Sequence, residues 1–162
     1  MSLLAIHVTL SLIGIAAGLV MLYGLLSDRI FGGWTVLFLA TTILTCITGF
    51  PLPPFGFDPP RAIGTLTLIL LALAVIALYA FRLAGAWRWI YVGTVVAALY
   101  LNVFIAVFQA FLKIPSLHDL APTQSEAPFA IVQGIVLLVF IALGIAAAIK
   151  FRPIDDRRWA RR

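Results

Sequence analysis

Residues 3–26 read LLAIHVTLSLIGIAAGLVMLYGLL, and no charged side chain interrupts them. A helix rises ~1.5 Å per residue, so a run of this length crosses the ~30 Å hydrocarbon core of a bilayer. Four more uncharged apolar runs follow, at Trp34–Phe50, Ala62–Phe81, Trp89–Leu112 and Phe129–Ile149. Hydrophobic residues make up 64% of the chain and charged residues 10%, against roughly 25% charged in a soluble domain. So little polar surface cannot cover a fold in water. The expected fold is therefore all-α, an integral membrane bundle of five transmembrane helices. It forms one domain over residues 1–162, with spans at about 3–26, 34–50, 62–81, 89–112 and 129–149, and a basic tail at 150–162.

Charge placement gives an orientation. Of the 11 Lys and Arg residues, Lys150, Arg152, Arg157, Arg158, Arg161 and Arg162 fall in the tail. Short Lys/Arg-rich segments stay cytoplasmic, which predicts a cytoplasmic C-terminus and an outer N-terminus. The connecting segments agree: Arg29, Arg82 and Arg88 fall on the inner side, and Arg61 and Lys113 on the outer side. Trp34, Trp87 and Trp89 lie at the inner ends of spans, where indole rings favour the headgroup layer. Asp155 and Asp156 interrupt the basic tail, so it reads as an anchor to anionic lipid and no nucleic-acid partner is expected. Nothing before Asp28 is charged. The first span therefore lacks the basic segment of a signal peptide and reads as a retained helix.

The connections differ in character. The outer segment at 51–60 carries five prolines, which exclude helix and favour a stiff path. Phe55 and Phe57 there are expected at the interface. In the segment at 113–128, Ser116-Leu117-His118-Asp119 resembles a helix start, predicting a short helix over Ser116–Leu120. Thr123-Gln124-Ser125-Glu126 repeats that capping pattern, and Pro128 suits the first turn of the last span.

Polar groups within the spans are the candidates for function. His7, Ser11, Gly14 and Gly18 share one face of the first span, and Gly14 and Gly18 form a GxxxG step suited to close helix packing. Thr41, Thr45 and Thr48 share a face of the second span. Threonine can return its hydroxyl to the carbonyl four residues back, so such runs are cheap in lipid. Asn102 and Gln109 share a face of the fourth span. An unpaired amide in hydrocarbon costs roughly 4–8 kcal/mol, so each needs a partner, and Gln133 in the fifth span is the expected partner of Gln109. These residues serve either as packing bonds or as part of a ligand, quinone or ion path.

The two histidines, His7 and His118, fall on the expected outer side with Asp58, Asp119 and Glu126. His7, His118, Asp119 and Glu126 are the side chains that could hold a metal or haem near that surface. Their spacing matches no metal motif, no histidine pair sits within the membrane as haem bundles require, and the expected cofactor is none. Cys46 is the single cysteine, so a disulfide within one chain is excluded. No nucleophile elbow, catalytic triad or phosphate-binding glycine loop occurs.

The stretches GWTVLFLATTILTCITGF (33–50), AGAWRWIYV (84–92), LYLNVF (99–104) and LAPTQSEAPF (120–129) resemble a group of small, uncharacterised multi-pass bacterial inner-membrane proteins. The resemblance spans nearly the whole chain. It implies a bacterial plasma membrane and assigns no residue a role. Three functional expectations follow from the residues. The first is a structural or accessory subunit, partnered by lipid and either by copies of itself or by a larger membrane complex. The second is a small transporter or channel built on polar faces of the second, fourth and fifth spans. The third is a redox protein with a site at His7 and His118.

Overall fold

The computed structural model describes residues 2–52 and 59–152. The expectations for Phe55, Phe57, Asp58 and the tail beyond Arg152 lie outside the described residues. Within them the chain is helical: α1 Leu3–Leu26, α2 Gly32–Gly49, α3 Pro59–Val75, α4 Trp87–Lys113, α5 Pro115–His118 and α6 Ala127–Lys150. Five helices are long and apolar enough to cross a membrane. The helices overrun the apolar windows by one to three residues at several ends, because Arg61, Trp87, Lys113 and Lys150 are all competent helix formers. Pro59 and Pro60 open α3, where a missing N–H leaves no bond unmade.

Four helices close a ring. Helix α1 packs on α2, α2 on α3, α3 on α4, and α4 back on α1, while α6 lies outside against α4 and α1. The half of the ring towards the α3–α4 turn is solid. Ala17, Phe38, Leu71, Ala74, Tyr91, Val95 and Leu99 are all fully buried there. Glycine allows this closeness at Gly18, where a Cβ would stand 2.5 Å from Leu99 Cδ1 and 2.9 Å from Phe38 Cδ2. The glycine step of α1 thus faces α2 and α4 of its own chain. Apolar side chains such as Leu19, Tyr23, Ile131, Leu138 and Ile149 are exposed on the outside of the bundle, where a bilayer solvates them.

The connections at the solid end are tightly made. Helix α1 ends in a Schellman turn: Arg29 N donates to Gly24 O at 2.9 Å, Asp28 N donates to Leu25 O at 3.3 Å, and Asp28 holds the left-handed position at φ 55°. A Cβ at Gly24 would stand 2.9 Å from Arg29 O, so glycine is needed for that return. Helix α3 continues into a π turn over Ile76–Ala80. Arg82, Leu83 and Gly85 then turn the chain at positive φ, and Phe81 stacks on Trp87 with centroids 3.8 Å apart. The Arg88 guanidinium lies 4.0 Å over the Trp89 ring and donates to Phe151 O, fastening the end of α6.

Two local expectations are corrected. The short helix is Pro115–His118, capped by Ile114 with no side-chain bond, so Ser116 is not its cap. Proline takes the first helical position instead, which its fixed φ favours. Glu126 is itself the cap residue of α6 and makes no side-chain bond to that helix. Its carboxylate turns back to accept from Thr123 N, Thr123 Oγ1 and Ser125 N.

Candidate functional site

At the end of the ring opposite the α3–α4 turn the four helices enclose a cavity of about 870 Å³. Its depth follows from the register of α4. Lys113 lines one end and Asn102 the other, eleven residues or about 16 Å along the helix axis. Each helix contributes a polar side chain to the closed end: Ser11 from α1, Thr42 from α2, Thr67 from α3 and Asn102 from α4. The wall between is mainly apolar, with Leu4, Val8, Ile63, Ile105 and Phe108 among its members.

The threonines divide into two kinds. Thr41, Thr45, Thr48 and Thr67 donate to the carbonyls of Leu37, Thr41, Leu44 and Ile63, at 2.7 to 2.8 Å, as residues of this type do in lipid. Thr42 does not. Its hydroxyl is buried and, among the described residues, has no hydrogen-bond partner. Asn102 is 7% exposed. Its Oδ1 accepts from Ser11 Oγ at 2.9 Å, while its Nδ2 is also without a partner among the described residues. Gly14 lets these groups approach α1. A Cβ there would stand 3.1 Å from Thr42 Oγ1, 3.2 Å from Thr41 Oγ1 and 3.3 Å from Asn102 Nδ2.

Higher in the cavity, His7 Nδ1 lies 3.2 Å from Thr48 Oγ1, and Gly49 gives the imidazole room, since a Cβ there would stand 3.1 Å from His7 Cε1. Cys46 and Gln109 also line the wall. The charged side chains on the lining are Arg61 and Lys113, both at the open end, with no carboxylate among the described lining residues. Arg61 donates to Phe50 O and Leu52 O, holding the end of α2 against the start of α3.

The structure therefore brings His7, Thr45, Asn102 and Gln109 to one cavity. It does not bring Gln133 there. Gln133 Nε2 donates to Phe104 O at 3.1 Å, which corrects the expected pairing with Gln109. The two glutamines sit on facing helices, but α6 lies outside the ring. His118 and Asp119 lie on and beside α5, and Glu126 is occupied by its own turn. Among the described residues, no three His, Cys, Asp or Glu side chains group closely enough to hold a metal ion. Thr67 was not singled out from the sequence. Its only signal is a hydroxyl within the apolar run of α3, which many lipid-facing threonines share.

Neither protein-family models, nor curated proteins, nor solved structures match this chain.

Proposed function

We propose that this chain is a ligand-binding protein of the bacterial plasma membrane, with its N-terminus outside, that takes a small amphiphile into the outer half of its helical ring. One observation supports the reading: a cavity of about 870 Å³ with a polar closed end and an apolar wall, set among helices long and apolar enough to cross a membrane. Small-molecule sites are typically ~300–1,000 Å³, largely apolar, with a few convergent polar groups. A bundle with only a packing role gains nothing by holding four helices apart. A continuous channel fits poorly, because Phe38, Leu71, Tyr91 and Leu99 fill the other half of the ring. Binding, and handing the ligand on to a partner or back to the bilayer, is the role that suits a dead-ended site.

Native mass spectrometry from mild detergent tests this. The intact protein is expected to carry a retained small molecule, which Ala106→Trp, placed in the cavity wall, displaces. Cys46 supplies a second readout, because it is the only thiol in the chain. Its labelling by a small thiosulfonate should slow when the cavity is filled. A bare protein mass, together with Cys46 labelling that no added lipophile slows, overturns the reading in favour of a purely structural subunit.

A further inference from the structure

We infer that the ligand is a neutral lipophile capped by a carbonyl oxygen, and that it enters carbonyl first to accept hydrogen bonds from Asn102 Nδ2 and Thr42 Oγ1. The inference rests on the binding role proposed above and specifies its chemistry.

The argument is one of hydrogen-bond capacity at the closed end. Ser11 Oγ has given its proton to Asn102 Oδ1. Thr67 Oγ1 has given its proton to Ile63 O at 2.8 Å, and Thr45 Oγ1 to Thr41 O at 2.8 Å. What remains is the two N–H bonds of Asn102 Nδ2 and the hydroxyl of Thr42, on residues 7% and 1% exposed. Both atoms flank Gly14, each within 3.3 Å of where a Cβ on that residue would stand, and both residues line the closed end of the cavity. A buried donor left unmade is costly, and two side by side point to an acceptor supplied from outside the chain.

The acceptor must also be uncharged. Among the described residues no cation lies at the closed end; Arg61 and Lys113 stand at the opposite one. An ionised carboxylate or phosphate brought to Asn102 would lose its hydration with no countercharge. A carbonyl oxygen has two lone pairs, one for each donor, and no charge to desolvate. The apolar wall above it suits a hydrocarbon or ring body. Long-chain ketones and fully substituted quinones share this chemistry.

Competition for Cys46 labelling in nanodiscs tests the inference with four probes: a long-chain methyl ketone, a fully substituted benzoquinone with a ten-carbon tail, the matching alkane and the matching fatty acid at neutral pH. The ketone or the quinone, or both, should protect Cys46, and whichever does so more strongly identifies the body the wall prefers. The alkane and the ionised acid should protect at least tenfold less well. Thr42→Val removes one donor without changing shape and should weaken carbonyl-probe protection about three- to tenfold, while thermal stability holds or rises because an unmade hydroxyl bond is gone. Asn102→Leu should weaken protection further. Equal protection by alkane and ketone, or unchanged ketone protection in Thr42→Val and Asn102→Leu, overturns the inference and leaves the binding role standing. Stronger protection by the fatty acid overturns it too. Protection by none of the four overturns the inference and the binding role together.

Discussion

Ser11 on α1 donates its hydroxyl to Asn102 Oδ1 on α4 across 2.9 Å, at the level where the cavity stops and the packed core begins. This bond ties the first helix to the fourth and fixes which way the amide of Asn102 faces. The remaining Asn102 protons are directed by it.

Ser11→Ala should therefore destabilise the bundle by about 1 kcal/mol, since it leaves Oδ1 buried without its donor. Denaturant titration of helix content in mild detergent measures this. Adding Asn102→Leu should cost less than the sum of the two single changes, because the stranded carbonyl is removed with its partner. Strict additivity would mean the two side chains do not share a bond.

Gly18 and Gly93 should respond in opposite directions. Gly18→Val drives side-chain atoms into Leu99 and Phe38 and should cost about 1–3 kcal/mol by overpacking. A Cβ at Gly93 meets nothing within 4 Å among the described residues, so Gly93→Ala should stabilise α4 by about 0.5–1 kcal/mol through helix propensity. The same unfolding measurement reads both, and a neutral Gly18→Val would refute the tight contact of α1 with α2 and α4.

The turn before α6 should be sensitive to acid. Desolvation works to raise the pKa of Glu126, but the hydrogen bonds from Thr123 and Ser125 outweigh it and hold the carboxyl below its ordinary value. A carboxyl depressed in the folded state contributes stability above its unfolded pKa and loses it as pH falls through the folded one. Amide exchange at Thr123 and Ser125, corrected for intrinsic rates, should be slow at neutral pH and lose that protection at pH values below the carboxylate range. Glu126→Gln should show weaker protection that does not vary with pH. An identical pH response in the variant would remove Glu126 as the cause.

The proposed orientation places the two termini on opposite faces of the membrane. A periplasm-dependent enzyme fused before Leu3 should be active, and a cytosol-dependent fluorescent protein fused after Arg162 should fluoresce. Moving the arginines of the segment at 82–88 to the segment at 51–61 should weaken this bias. One working reporter with the other silent would put both termini on one face and contradict five crossings.

Most of the fold was legible in the chain, because absence of charge over a membrane's thickness is a one-dimensional signal. The first span was read at its true limits, Leu3–Leu26. The starts of α2 and α3 and both ends of α4 and α6 were read short, and the ends of α2 and α3 were read long, since hydropathy marks how deep a residue lies in lipid and not where backbone hydrogen bonds stop. The π turn at Ile76–Ala80 had no sequence signal. It arises where the chain leaves the helical path towards the left-handed residues Arg82 and Leu83.

The candidate site was legible only in part. His7, Ser11, Thr45, Asn102 and Gln109 stood out as polar side chains where hydrophobic ones were expected. Their depth can be read from their position in each span. Which neighbour each one faces cannot, and the misassigned pairing of Gln109 with Gln133 has that cause. Thr42 looked like its neighbours in a threonine-rich run, and only burial beside Gly14 and Asn102 distinguishes it.

The order of residues alone determined the solvent and the number of helices, because both depend on sums along a single segment. The closure of α1 to α4 into a ring, the exclusion of α6 from it, and the gathering of four polar side chains at one closed end were decided by tertiary structure. Each of those depends on the rotation of a helix about its own axis, which is set by the small residues and bulky neighbours it meets in space.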